Sequence, residues 1–270
     1  DELDDLLAPP ELSAPTRAVF RLAGEALEKT LPFDVGAYRA EKVGGRDTNI
    51  RPLAQELGRW FGVSDPQVYV TSAAPRVCVP VASHPVTLLV GSELLGITDD
   101  REKVFVLARA LAIARAQLAV IVRAQPAVVR ALLGGLVRSS APCPAPAGVE
   151  AAAVADMARR VSKHVQRRVR EDLGPLVFEM AGRPGYDPAR FAMAASQWGN
   201  RVALVATGSA PAAVSALAKL SGERELPADP PSRVAMIQRF PEAAALLSFA
   251  VSDAHFEARR RAGTDPGDEG

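Results

Sequence analysis

Histidine, cysteine and aromatic residues are the scarce components of this 270-residue chain. Its three histidines, His84, His164 and His255, lie far apart. None has a histidine partner four residues away, which excludes a helix-borne pair of imidazole metal ligands. The two cysteines, Cys78 and Cys143, make neither a disulfide framework nor a metal knuckle and read as buried free thiols. Aromatic residues are 5% of the chain and hydrophobic residues 48%. The core must therefore be built mainly from Ala, Val and Leu, which favours close helix packing. Excess charge is missing as well. The net charge is +1, so no global field directs the chain towards nucleic acid or an anionic membrane.

Long uninterrupted apolar runs are also lacking. The most apolar stretch, Val104 to Val137, is interrupted by Arg109, Arg115, Arg123 and Arg130 and broken by Pro126. A spanning helix needs about 20 apolar residues with few or no charges. At 100° per residue the arginines fall within roughly one third of a helix circumference. That is the polar stripe of an amphipathic helix, so no membrane insertion is expected. The chain does not begin with Met and shows no basic-then-apolar leader, and it reads as a fragment of a longer protein. Ser92 lacks a G-x-S-x-G elbow, Gly44-Gly45 reads as a turn, and no phosphate-binding Gly loop follows a strand.

What is present is helical periodicity with a short β-rich interlude. Asp1 to Pro15 is acidic and Pro-rich and reads as a linker. Thr16 to Leu31 and Ile50 to Phe61 are predicted helices, the second stopped by Gly62, with an irregular Phe33 to Asp47 between them. Gln67 to Thr71, Arg76 to Val81 and Val86 to Val90 are strand candidates. Asp99 can cap the next helix, with Glu102 at the capping-box position. Ala141 to Pro146 is a loop, and Val154, Met157, Val161, Val165 and Val169 mark one long amphipathic helix. Helices are predicted over Ala189 to Ala206, Ala210 to Leu220, Ser232 to Arg239 and Pro241 to Arg260, before a disordered acidic tail from Gly263 to Gly270. The fold class is α+β, mostly α, with a small sheet.

Two segments carry a family resemblance. Leu94 to Arg115 resembles the stretch of HtpX / CAAX-prenyl-endopeptidase type zinc metallopeptidases that holds their HExxH helix, which runs roughly E-hydrophobic-x-x-V-L-x-H-E-x-x-H. Laid on that pattern, Arg109 stands at the first His, Ala110 at the catalytic Glu and Ile113 at the second His. The family's third ligand is a Glu in a later E-x-x-A-D-x-x-G pattern that runs into A-G-Y-D-P. Here Arg167 to Gly174 precedes Gly185-Tyr186-Asp187-Pro188, which puts Arg167 at the third ligand and Glu171 at the supporting Asp. The resemblance covers roughly residues 50 to 200, within the usual size of one domain. It implies a metallopeptidase-like domain over residues 16–206 and a C-terminal helical extension over 207–262.

The resemblance implies loss of the chemistry along with survival of the scaffold. Zinc needs neutral imidazoles or carboxylates with free lone pairs, and a neighbouring Glu takes the proton of the metal-bound water. Arginines are permanently charged donors and cannot ligate a cation. Arg109, Ala110, Ile113 and Arg167 are thus expected to leave no zinc site, no cofactor and no peptidase activity. Glu171 has two readings: a cross-helix pair with Arg109, or an i to i+4 pair with Arg167.

The basic face from Arg159 to Arg170 has no aromatic residues and is followed by Glu171 and Asp172, so it reads as a solvated helix face and not a phosphate site. Trp60 and Trp198 read as core residues. Leu246 to Arg259 is similar to the ending of large bacterial proteins in which tetratricopeptide repeats precede a degenerate peptidase-like module. The expected role is a non-catalytic, cytoplasmic interaction or scaffolding domain, its partner another protein or another domain of the parent chain. The competing class is a hydrolase with an unrecognised active site.

Overall fold

In the computed structural model, residues 2–44, 49–140, 149–183, 186–223 and 225–264 are described. The chain begins with a short helix α1 (Glu2–Leu7) and a longer α2 (Ala14–Thr30), which buries Val19, Phe20, Ala23 and Leu27. The N-terminal stretch is therefore not a linker. Leu7 and Leu12 are buried in the core, because an amphipathic turn beside an apolar face gains more from burial than from solvation.

A two-residue strand β1 (Glu41–Lys42) follows, in the region expected to be irregular. α3 (Ile50–Phe61) ends where Gly62 takes φ +65°, a left-handed conformation that glycine adopts without a Cβ penalty. The remaining strands are β2 (Gln67–Thr71), β3 (Cys78–Val81) and β4 (Thr87–Gly91). The sheet order is β1-β2-β4-β3. β1 and β3 run antiparallel to their neighbours, while β2 and β4 are parallel, with Val68 opposite Leu88 and Val70 opposite Val90. In central β4, Leu88, Leu89 and Val90 are all fully buried, which explains an apolar run without alternation.

The apolar stretch after the sheet is three helices and not one: α4 (Asp100–Arg115), α5 (Ala119–Arg123) and α6 (Pro126–Ser140). Its arginines consequently do not form one stripe. Arg115 is exposed, Arg109 and Arg123 turn inward, and each serves a different neighbour. The Asp99 side chain caps α4 by accepting from the Arg101 and Glu102 backbone N–H groups. The Glu102 side chain does not complete a capping box. It is buried against Lys219 instead.

The next predicted helix is also two, α7 (Ala151–His164) and α8 (Arg167–Gly182), separated at Val165. α9 (Arg190–Thr207) and α10 (Ala210–Leu220) follow, then α11 (Pro230–Arg239), α12 (Pro241–Ala250) and α13 (Asp253–Arg261). The split between the last two occurs at Val251, where Ser252 caps α13 through its hydroxyl. Cys143, the 141–146 loop and Gly185 of the Gly-Tyr-Asp-Pro turn lie outside the described residues, as does the tail from 265 on.

One connected apolar cluster runs from Leu7 through the sheet and α4 to Ala258, so the C-terminal helices share the core of the rest. The most extensive helix contacts are α4 with α9 and α6 with α7. α8 lies against α2 and α6. Among the described residues, no helix is long and apolar enough to cross a membrane.

Candidate functional site

The resemblance expects chemistry between α4 and α8, but the helix that packs against α4 at Arg109 is α9, and the seam between the two is unusually close. A Cβ on Gly199 would lie 2.7 Å from Ile113 Cδ1 and 3.2 Å from Arg109 Cγ. Glycine at that position lets α9 rest directly on α4. Ala110 and Ile113 are fully buried and add only apolar volume.

Arg109 supplies the polar content of this seam. Its Nε donates to Asn200 Oδ1 at 2.7 Å and its Nη2 to Ser196 Oγ at 3.3 Å. Asn200 is 1% exposed and Ser196 7%, so both depend on protein partners for their hydrogen bonds. The Asn200 amide donates in turn to Glu242 Oε2 on α12 at 3.4 Å, and that carboxylate stands 4.0 Å from Arg109 Nη2. Cys78 on β3 faces the same charge. Burial pushes its thiol up to about 12, against the smaller pull of the Arg109 guanidinium. The thiol is therefore neutral and unreactive at ordinary pH. The crevice between Asn200, Arg201 and Glu242 leaves no volume for a ligand.

Arg167 and Glu171 are elsewhere. They pair with each other at 3.5 Å, one helical turn apart, with side chains 93% and 70% exposed. The cross-helix pair between Arg109 and Glu171 does not form. α8 turns Leu173, Val177 and Met180 inward against α2 and α6, which leaves Arg167 and Glu171 on its solvent side. Arg109, Ala110 and Ile113 are thus brought together with α9, while Arg167 and Glu171 are not part of the cluster.

Ser196 and Asn200 were not singled out from the sequence. Their signal was a pair of polar residues four apart, flanking Gly199, within a helix whose other inward residues are apolar. A buried polar pair of that kind demands a partner on the facing helix. Trp198 is core as expected, at 5% exposure, but Trp60 is 65% exposed and is not. The basic face divides among local partners: Arg159 pairs with Asp156, Arg160 donates to the Thr30 carbonyl, and Arg170 to the Ser162 carbonyl.

Two further buried ion pairs join elements. Glu102 on α4 meets Lys219 on α10. Glu28 on α2 lies 2.7 Å from Arg123 on α5, each side chain 10% exposed. Burial raises the Glu28 carboxyl above its ordinary range, and the nearby Arg123 charge opposes that only in part. Among the described residues, no three His, Cys, Asp or Glu side chains gather in a metal-binding group. No family model, curated protein or solved structure matches the chain.

Proposed function

We propose that this chain is a non-catalytic, metallopeptidase-like domain that serves protein interaction or scaffolding within a larger cytoplasmic protein. The observation that carries the reading is the Arg109–Asn200–Ser196 cluster. The resemblance puts the first metal ligand at Arg109, and Arg109 is the residue that reaches the facing helix. The second half of the resemblance stays at Arg167 and Glu171 on α8, which stand apart from this cluster.

Chemistry supports the same reading. A guanidinium has donors only, and the groups that face it are a hydroxyl and a neutral amide. The charge of a cation would be repelled by Arg109, not complexed. With no proton acceptor at Ala110, water activation has no agent at that position. A scaffold that keeps a packed core while its reactive groups are replaced retains a surface to offer, and that surface is the remaining means of function. The partner is another protein or a preceding domain of the parent chain, such as a helical repeat array.

The test is zinc content and proteolysis on the purified chain. We expect far less than one zinc per chain after purification from zinc-supplemented cells, and no cleavage of an unfolded protein substrate. One tightly held zinc, or cleavage blocked by a chelator, would favour the hydrolase reading instead. Cross-linking of the full-length parent in its own cells should recover a protein or domain joined to this one.

A further inference from the structure

A cavity of about 440 Å³ opens where α1, α2, α3, α4 and α9 meet, within the size range of small-molecule sites. On α9 it uses Trp198, Val202 and Val205. At 100° per residue these lie opposite Ser196 and Asn200, so the cavity is separate from the Arg109 cluster. Its walls are apolar: Leu3 and Leu7 from α1, Trp60 and Phe61 from α3, Ala112 from α4.

The polar groups of the lining are unbalanced. Arg17, Arg21 and Arg115 face one carboxylate, Asp4. Arg17 is engaged by Asp5 and by the Leu12 carbonyl, though its Nε has no partner among the described residues. Arg21 and Arg115 are exposed and form no ion pair with a described residue. The Trp198 ring closes the inner wall, its Nε1 sealed from solvent, so the charge of the lining comes from Arg21 and Arg115. The lining therefore carries more positive than negative charge around an apolar pit, three guanidinium groups against the Asp4 carboxylate. The complement of such a site is an apolar chain ending in an anion that only accepts hydrogen bonds.

We propose that this cavity binds a medium-chain to long-chain carboxylate, its alkyl chain between Trp60, Trp198 and the α4–α9 alanines and valines, and its carboxylate at Arg21 and Arg115. The proposal does not rest on the metallopeptidase-like reading. The Trp60 indole, 65% exposed, is the apolar surface that such a chain would cover.

The two tryptophans of the chain both line this cavity, so intrinsic fluorescence reports on it directly. Titration with decanoate below its micelle concentration should give a saturable change. From octanoate through decanoate to laurate, affinity should rise about fourfold per methylene. Decanol should bind about tenfold more weakly than decanoate. Arg21→Glu with Arg115→Glu should weaken decanoate about tenfold and leave decanol unaffected, with an unchanged thermal melt because both side chains are exposed. Equal binding of decanol and decanoate, indifference to the double charge reversal, or a change that never saturates would overturn the proposal. So would saturable binding of an acidic amphipathic peptide with none of decanoate, which would make the site a protein-docking groove.

Discussion

At the scale of single residues, Arg109 shows how a buried charge is made tolerable. Its guanidinium is satisfied by a hydroxyl and an amide, with a carboxylate 4.0 Å away. Asn200→Leu should destabilise the chain by about 1.5–3 kcal/mol, the usual worth of a hydrogen bond to a charged group. Arg109→Met should cost about 1–3 kcal/mol, because it strands the Asn200 and Ser196 polar groups. The double change should cost less than the sum, since each single change leaves the other partner unpaired. By contrast, Arg167→Ala and Glu171→Ala should each cost less than about 1 kcal/mol, as exposed pairs do. Urea melts of the five variants decide both points. Strict additivity at Arg109 and Asn200, or a large loss at Glu171, would contradict this account.

Elements are positioned here by small residues as much as by large ones. With aromatics so few, close approach takes over from bulk as the source of contact. Gly135 on α6 is one such point: a Cβ there would sit 2.8 Å from the Ala158 backbone nitrogen and 2.9 Å from the Met157 carbonyl carbon on α7. Backbone atoms cannot rotate away, so the helices would have to separate. Gly135→Ala should therefore lower stability by about 1–3 kcal/mol through overpacking, against a helix-propensity gain of about 1 kcal/mol. A lower urea midpoint is the expected result, and a stabilised variant would show that α6 and α7 slide freely. The same economy governs α4 and α9 through Gly199. α8 lies outside that seam, its inward residues Leu173, Val177 and Met180 packed beside α2 and α6.

For the whole molecule, the two ends of the described chain meet. α1 packs on α13, and Arg261 pairs with Glu2 at 2.5 Å. His255 on α13 is buried there, its Nδ1 2.9 Å from the Ala250 carbonyl, an arrangement that makes Nδ1 the donor and leaves Nε2 without a partner among the described residues. Burial lowers its proton affinity below the ordinary value of 6.5, more than the Ala250 hydrogen bond restores it. The unfolded chain therefore binds a proton below about pH 6.5 that the folded chain resists. The contribution to stability is complete above that pH and is lost progressively as pH falls. The Glu28 carboxyl, raised by burial, acts in the opposite sense: its stabilisation is present at low pH and declines as pH rises above its ordinary value of 4.5. His255→Gln should flatten the stability profile between about pH 7.5 and 5.5. Thermal melts across that window measure it, and an unchanged slope would mean that His255 protonates freely in the folded state.

Local signals in the sequence determined the mostly helical α+β character, most element positions and the three principal strands. Gly62 ended α3 and Asp99 began α4, because caps and left-handed turns depend on a few adjacent residues. Glu171 could be assigned only to two alternatives, since a neighbour at i+4 and a neighbour across a helix pair leave the same mark in a sequence. Tertiary structure decided between them by pairing α4 with α9. Three-dimensional packing also decided that Val104 to Val137 breaks after Arg115 as well as at Pro126, that Glu102 reaches Lys219 and not its own helix end, and that the acidic N-terminal segment is held in the core by Leu7 and Leu12. Each of these depends on which apolar face a distant element offers, and that is a property of the assembled core and not of any window of the chain. Arg109 was singled out through a resemblance, whereas its partners Ser196 and Asn200 became visible only when Gly199 brought their helix against it.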